Sequence, residues 1–116
     1  MDIKTPNALE EALNYYLIEQ PNEIIEQVAQ YYKMDREDLV SSKHRNKERI
    51  ANARQVCQYI IRKRTNLPLK QIGTLFNRKY TTIIHAINKV EEQMTSKLDN
   101  RIRNDVNKLN DIIKIN

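Results

Sequence analysis

Arg78, Lys79, Tyr80, Thr81, Thr82 and His85 are the densest group of side chains equipped for chemistry in this 116-residue chain. Their chemistry is recognition. Cations and hydroxyls gathered at one end of a helix can bond phosphate oxygens and base edges, and Thr81 adds a methyl that can meet a thymine methyl. His85 lies one turn beyond Thr81 and can reach a phosphate. Groups that make and break bonds are not arranged for it. His44 and His85 stand far apart, no H-E-x-x-H or other metal-ligand cluster occurs, and no nucleophile has a base beside it in sequence. Glu10-Glu11 and Glu91-Glu92 are neighbours that point different ways around a helix and read as solvated surface. The one cysteine, Cys57, cannot form an internal disulfide or a multi-thiolate zinc site, and it falls on an apolar stripe as a packed residue. With one glycine in the chain, the phosphate loop G-x-x-x-x-G-K-[ST] cannot be written. No enzyme activity, cofactor or metal is expected.

Charge places the same residues in a larger pattern. Between Ser41 and Lys89 there are twelve Lys or Arg against the single acid Glu48, a net +11. The remainder carries eight bases and fourteen acids, a net −6. Such segregation is the footprint of polyanion binding, against the plainer reading of a basic face that keeps the protein soluble. No apolar run approaches membrane-spanning length, and MDIKTPNALEE has neither the basic start nor the apolar core of a signal peptide. A cytosolic protein without a membrane span is expected.

Positioning these groups falls to helices. Few Gly and Pro and no Trp leave little turn chemistry for a many-stranded sheet, so the expected fold is all-α, a compact helical bundle. Thr5-Pro6 reads as a cap and first helical position, with Leu9, Ala12, Leu13 and Tyr16 recurring at helical spacing toward an end near Gln20. Asn22 reads as the cap of a second helix whose stripe is Ile24, Ile25, Val28 and Tyr32. Asp35 and Asp38 open a short helical turn carrying Leu39 and Val40. The polar stretch from Ser41 to Lys47 reads as an exposed loop. From about Lys47 to Thr65, Ile50, Ala53, Cys57, Ile60 and Arg64 form a stripe widened by Val56 and Ile61.

After Leu67-Pro68 comes a helix-turn-helix grammar. Leu69, Ile72, Leu75 and Phe76 serve the core, Gly73 permits close helix approach, and Asn77 tolerates a left-handed turn. Ile83, Ile84, Ile87 and Val90 then give a second helix its apolar face. An ordinary helical corner has the same spacing, and the charge favours DNA. Asp99 caps a last helix with Ile102, Val106, Leu109 and Ile113 inward. Residues 1–21 are read as a connector helix and 22–116 as the helix-turn-helix domain.

The stretches VAQYYKMDREDL, ERIANARQVCQYIIRKRTNLPLKQIGTLF and RKYTTIIHAINKVEE, in that order, resemble the C-terminal DNA-binding domain of the DnaA family of bacterial replication initiators. Ala8 to Gln20 look like that family's connector helix, which follows its AAA+ ATPase module; in a full-length initiator that module would precede residue 1. The resemblance implies recognition of a double-stranded box at a replication origin, with the second helix of the motif in the major groove and a basic loop in the minor groove. It implies phosphate or base contacts from Arg54, Gln55, Arg62, Leu69, Lys70, Arg78, Lys79, Tyr80, Thr81, Thr82 and His85. The minor-groove arginine of the family falls on Asn46, and flanking Arg45 and Lys47 are candidates to replace it.

The chain departs from the family pattern in the turn. F-G-G-R-D-H-T-T becomes F-N-R-K-Y-T-T, one residue shorter, with Lys79-Tyr80 in place of Asp-His. Aspartate accepts from a cytosine amine, whereas Lys79 cannot accept and favours guanine edges or phosphate, so an altered or relaxed site preference is expected. The family's usual Pro before Arg54 is Ala53. A related transcriptional or plasmid regulator, or an adaptor whose acidic terminal helices dock a partner, are the alternatives. Fragment of an initiator and small stand-alone relative both fit, and a monomer is expected.

Overall fold

The computed structural model describes residues 8–14, 19–41 and 47–113, and their regular structure is helical. The elements are α1 (Ala8–Asn14), α2 (Gln20–Tyr32), α3 (Arg36–Val40), α4 (Glu48–Arg64), α5 (Leu69–Leu75), α6 (Tyr80–Met94) and α7 (Arg101–Ile112). This is the expected all-α bundle with a helix-turn-helix. Among the described residues no helix is long and apolar enough to cross a membrane.

The chain start corrects one reading. Thr5-Pro6 and Tyr16 lie outside the described residues, and Leu9 of α1 is exposed. Asn22 does not cap α2, which begins earlier at Gln20 with Pro21 in its first turn. Proline suits that turn because the N–H it lacks has no helical partner there. Asn22 is left inside the helix, and its side-chain oxygen accepts from the Arg36 guanidinium. At the other end, Lys33 adopts a left-handed conformation (φ 55°), with its N–H bonded to Gln30 O and that of Met34 to Ala29 O. That stop takes a glycine-like geometry without a glycine, so residue type gave no sign of it.

Helix α4 is the centre of the bundle and packs against α2, α3, α5, α6 and α7. Its apolar arc is wide enough to face several neighbours: Ile50, Ala53, Val56, Cys57, Ile60 and Ile61 are all buried. Against it lie Ile24, Ile25 and Val28 of α2, Leu39 of α3, Ile72 and Phe76 of the α5 segment, and Ile83, Ile87 and Val90 of α6. Ile102, Val106, Leu109 and Ile113 close the core from α7. Cys57 is fully buried and burial pushes its thiol well above the ordinary range, which keeps it an inert packed group.

Gln58 is the exception on this helix. It is 1% exposed, and neither its Nε2 nor its Oε1 has a partner among the described residues. A buried amide without partners costs about 1–3 kcal/mol. Gln58→Leu is therefore expected to stabilise the fold by about 1 kcal/mol in urea denaturation, and a destabilised variant would refute the unpaired amide.

The terminal helix is tied down by polar bonds. The cap position of α7 is held by Asn100 rather than by Asp99 as expected; Asp99, one residue earlier, accepts the backbone N–H of Arg101 at 2.9 Å. Arg64, half-buried at the end of α4, donates to Asn110 O at 3.3 Å and Ile113 O at 2.6 Å. Tyr31 and Tyr32 donate to the two carboxylate oxygens of Asp105, each at 2.8 Å. Burial first, then the bond to Asp105 and its charge, push the Tyr31 phenol up to about 12 and raise Tyr32 in the same direction. Because both are raised in the fold, the stability they contribute is complete below pH about 10 and is lost as pH climbs through the folded values. Absorbance titration of tyrosinate is expected to show two of the six tyrosines ionising late, with Tyr32→Phe removing one of them and softening the alkaline unfolding.

Candidate nucleic-acid interface

The exposed start of α6 is set by one close backbone approach. Gly73 of α5 is buried, and a Cβ there would lie 2.5 Å from the carbonyl oxygen of Arg78. The Arg78 N–H in turn donates to Gly73 O at 2.8 Å. Asn77 makes the bend with φ 53°, the left-handed conformation read for it from its type. Phe76, with no exposed surface, plugs the corner beneath. Spacing in the sequence thus translates directly into two helices crossing at Gly73.

Beyond the crossing the apolar face of α6 turns inward and the polar residues stay out. Ile83, Ala86, Ile87 and Val90 are buried and Ile84 is half-buried, whereas Lys79, Tyr80, Thr81, Thr82, His85 and Lys89 are exposed. The helix begins with Lys79 as its flanking residue and no side-chain cap, so its first N–H groups and the positive end of its dipole add to the cationic side chains. Lys70, near the start of α5, holds its ammonium 6.0 Å from the centre of the Tyr80 ring. That is a cation–π approach. It brings the starts of both helices of the motif to one surface, while neighbouring Leu69 is half-buried.

The other residues expected at the interface divide into groups. Lys47 is exposed at the head of α4, and Arg45 and Asn46 lie outside the described residues. Arg62 is exposed and donates to Leu67 O at 3.2 Å, steadying the lead into α5. Gln55 is half-buried, and its Oε1 has no partner among the described residues.

Arg54 and Arg78 bond protein carbonyls. Arg54 donates from Nε to Leu39 O at 3.0 Å and from Nη2 to Asp38 O at 3.2 Å. Arg78 donates from Nη2 to Ser41 O at 3.1 Å and from Nη1 to Phe76 O at 3.2 Å. Burial, then the charge of Arg78, lower the Arg54 pKa. Sequence reasoning missed the role of Asn77 beside them: its Nδ2 donates to Val40 O at 2.9 Å. The available signal was a side chain standing where the family pattern has two glycines.

No group of three or more metal-ligating side chains occurs among the described residues. The surface offers cations, hydroxyls, one imidazole and helix N–H groups, a set complementary in charge and hydrogen bonding to a polyanion.

Comparison with known proteins agrees with this geometry. The family model described as bacterial DnaA protein helix-turn-helix matches residues 21–90. The chromosomal replication initiator protein DnaA of Leifsonia xyli subsp. xyli (strain CTCB07) is 38% identical over 97 residues, which is 83% of this chain and 20% of that protein. Its counterpart from Aquifex aeolicus (strain VF5) is 46% identical over 72 residues, 61% of this chain and 18% of that protein. The chain thus spans about a fifth of the length of these relatives. A crystal structure described as that of a DNA replication initiation factor superimposes with a TM-score of 0.70 at 32% identity, covering 90% of this chain and 32% of the other. With the helix-turn-helix built as the sequence requires and the family model running from α2 to the end of the α6 core face, this chain belongs to the bacterial DnaA helix-turn-helix family.

Proposed function

We propose that the chain binds double-stranded DNA at a replication-origin box, as the DNA-reading part of a replication initiator. The observation that carries this is the exposed start of α6, where Lys79, Tyr80, Thr81, Thr82 and His85 face outward while Gly73 and Phe76 hold the corner behind them. A helix entering the major groove by its N-terminal end uses that arrangement. Thr81 and Tyr80 read base edges, Lys79 takes a guanine edge or a phosphate, and Lys70, Arg62, Thr82 and His85 hold phosphates. The basic stretch holding Arg45, Asn46 and Lys47 supplies the minor-groove contact. The part played is binding rather than catalysis, and in a whole initiator an AAA+ module supplies the ATP chemistry.

Fluorescence anisotropy with a labelled initiator-type box and a scrambled duplex, each titrated over several salt concentrations, tests this. With ~6 phosphate contacts, log affinity should fall against log salt with a slope of about −5. Preference for the box supports origin reading, and equal salt-dependent binding points to the altered preference expected of Lys79-Tyr80. Absent or salt-insensitive binding sinks the proposal.

A further inference from the structure

We propose that Asn77 is a positioning residue: its amide, with the guanidiniums of Arg54 and Arg78, clasps the end of α3 and so fixes the angle at which α6 presents itself to DNA. The part concerning DNA rests on the function proposed above.

A helix of five residues has almost no intrahelical donors for the carbonyls at its own end. Ser41 N–H takes Glu37 O at 2.9 Å, and the following carbonyls, Asp38, Leu39, Val40 and Ser41, are each met by a side-chain donor from elsewhere in the chain. Three side chains serve four consecutive carbonyls. The donors come from α4 (Arg54) and from the turn that launches α6 (Asn77 and Arg78), so α3, α4 and that turn are joined at one point. Two cations at the negative end of a helix are also favourably placed against its dipole.

Residue 77 has to satisfy two demands. Its φ of 53° restricts it to residues that enter the left-handed region easily, chiefly Gly, Asn and Asp. Reaching Val40 O requires a side-chain N–H. Asn alone among the three meets both. The turn of the family pattern, two glycines, has the conformation without the donor. This chain has a turn one residue shorter and a bond joining residues 37 apart in sequence, so the lead into α6 is held by a side chain as well as by the backbone.

The test uses Asn77→Gly, which keeps the backbone conformation and deletes the donor, and Asn77→Asp, which keeps the shape as well. Both should melt cooperatively. Amide hydrogen exchange on the free protein should show Ser41 N–H, on the far side of the clasp, exchanging at least threefold faster in both variants. In anisotropy, affinity for the duplex that the wild type prefers should fall about tenfold while the salt slope stays unchanged, because phosphate contacts are kept and alignment is lost. Unchanged Ser41 exchange overturns the clasp. Faster exchange with wild-type affinity and preference overturns its role in positioning. Wild-type chain that binds no duplex would instead refute the function proposed above, and Ser41 exchange alone would then decide whether the clasp exists.

Discussion

A chain carrying Lys70→Glu and Lys79→Glu together is expected to bind an origin-type duplex several hundredfold more weakly than wild type at about 0.1 M salt. Taking one cation away from its phosphate lowers the salt slope by about 0.9, close to tenfold in affinity at that concentration, and each reversed charge then repels the backbone it had attracted. Both side chains are exposed, so the fold bears the change. Surface substitutions of this kind stay within about 0.5 kcal/mol. Lys70 also leaves the Tyr80 ring, an interaction worth about 0.5–1 kcal/mol at an exposed site, so Tyr80 loses some of its restraint as well. The measurement is the anisotropy titration with circular dichroism as the control for folding. A correctly folded double variant with wild-type affinity would remove the start of the motif from the interface and favour an adaptor whose acidic helices do the binding.

Gly73→Ala is expected to destabilise the domain by about 1–3 kcal/mol and to cost DNA binding beyond what the unfolded fraction explains. The added methyl would meet the Arg78 carbonyl at 2.5 Å, and its neighbour there is backbone, which cannot rotate away like a flexible side chain. Separating the two helices weakens the Arg78 N–H bond to Gly73 O and lifts Phe76 from its buried site. The start of α6 then leaves its position even in molecules that stay folded. Urea denaturation reads the first effect, and duplex titration under conditions where the variant is fully folded reads the second. A variant of wild-type stability would mean that the crossing has slack the structure does not display.

The helix-turn-helix was the most legible part of the chain because its demands are local and tied to residue type. A small residue at 73, a turn former at 77 and apolar residues at 83, 87 and 90 appear in order within one short segment. The wide stripe of α4 was legible too, since burial against several neighbours requires more apolar positions than one helix face. What escaped was set by groups distant in sequence. Arg78 read as a cation for DNA from its type and Arg54 from the family resemblance, but both donate to carbonyls at the end of α3 or just past it, and nothing local to either residue announces that. Asn22 had the chemistry of a cap, yet Pro21 suited the first turn of a helix that had already begun. Gln58 is buried because neighbouring helices pack over it, and nothing in its own polar side chain announces that.

The division of α6 between inward and outward residues has an evolutionary consequence. Lys79, Tyr80, Thr81, Thr82 and His85 contribute little to the core, which Ile83, Ala86, Ile87 and Val90 complete without them. New side chains can therefore be tried at these exposed positions at almost no thermodynamic penalty. Substitutions there can accumulate one residue at a time while every intermediate stays folded.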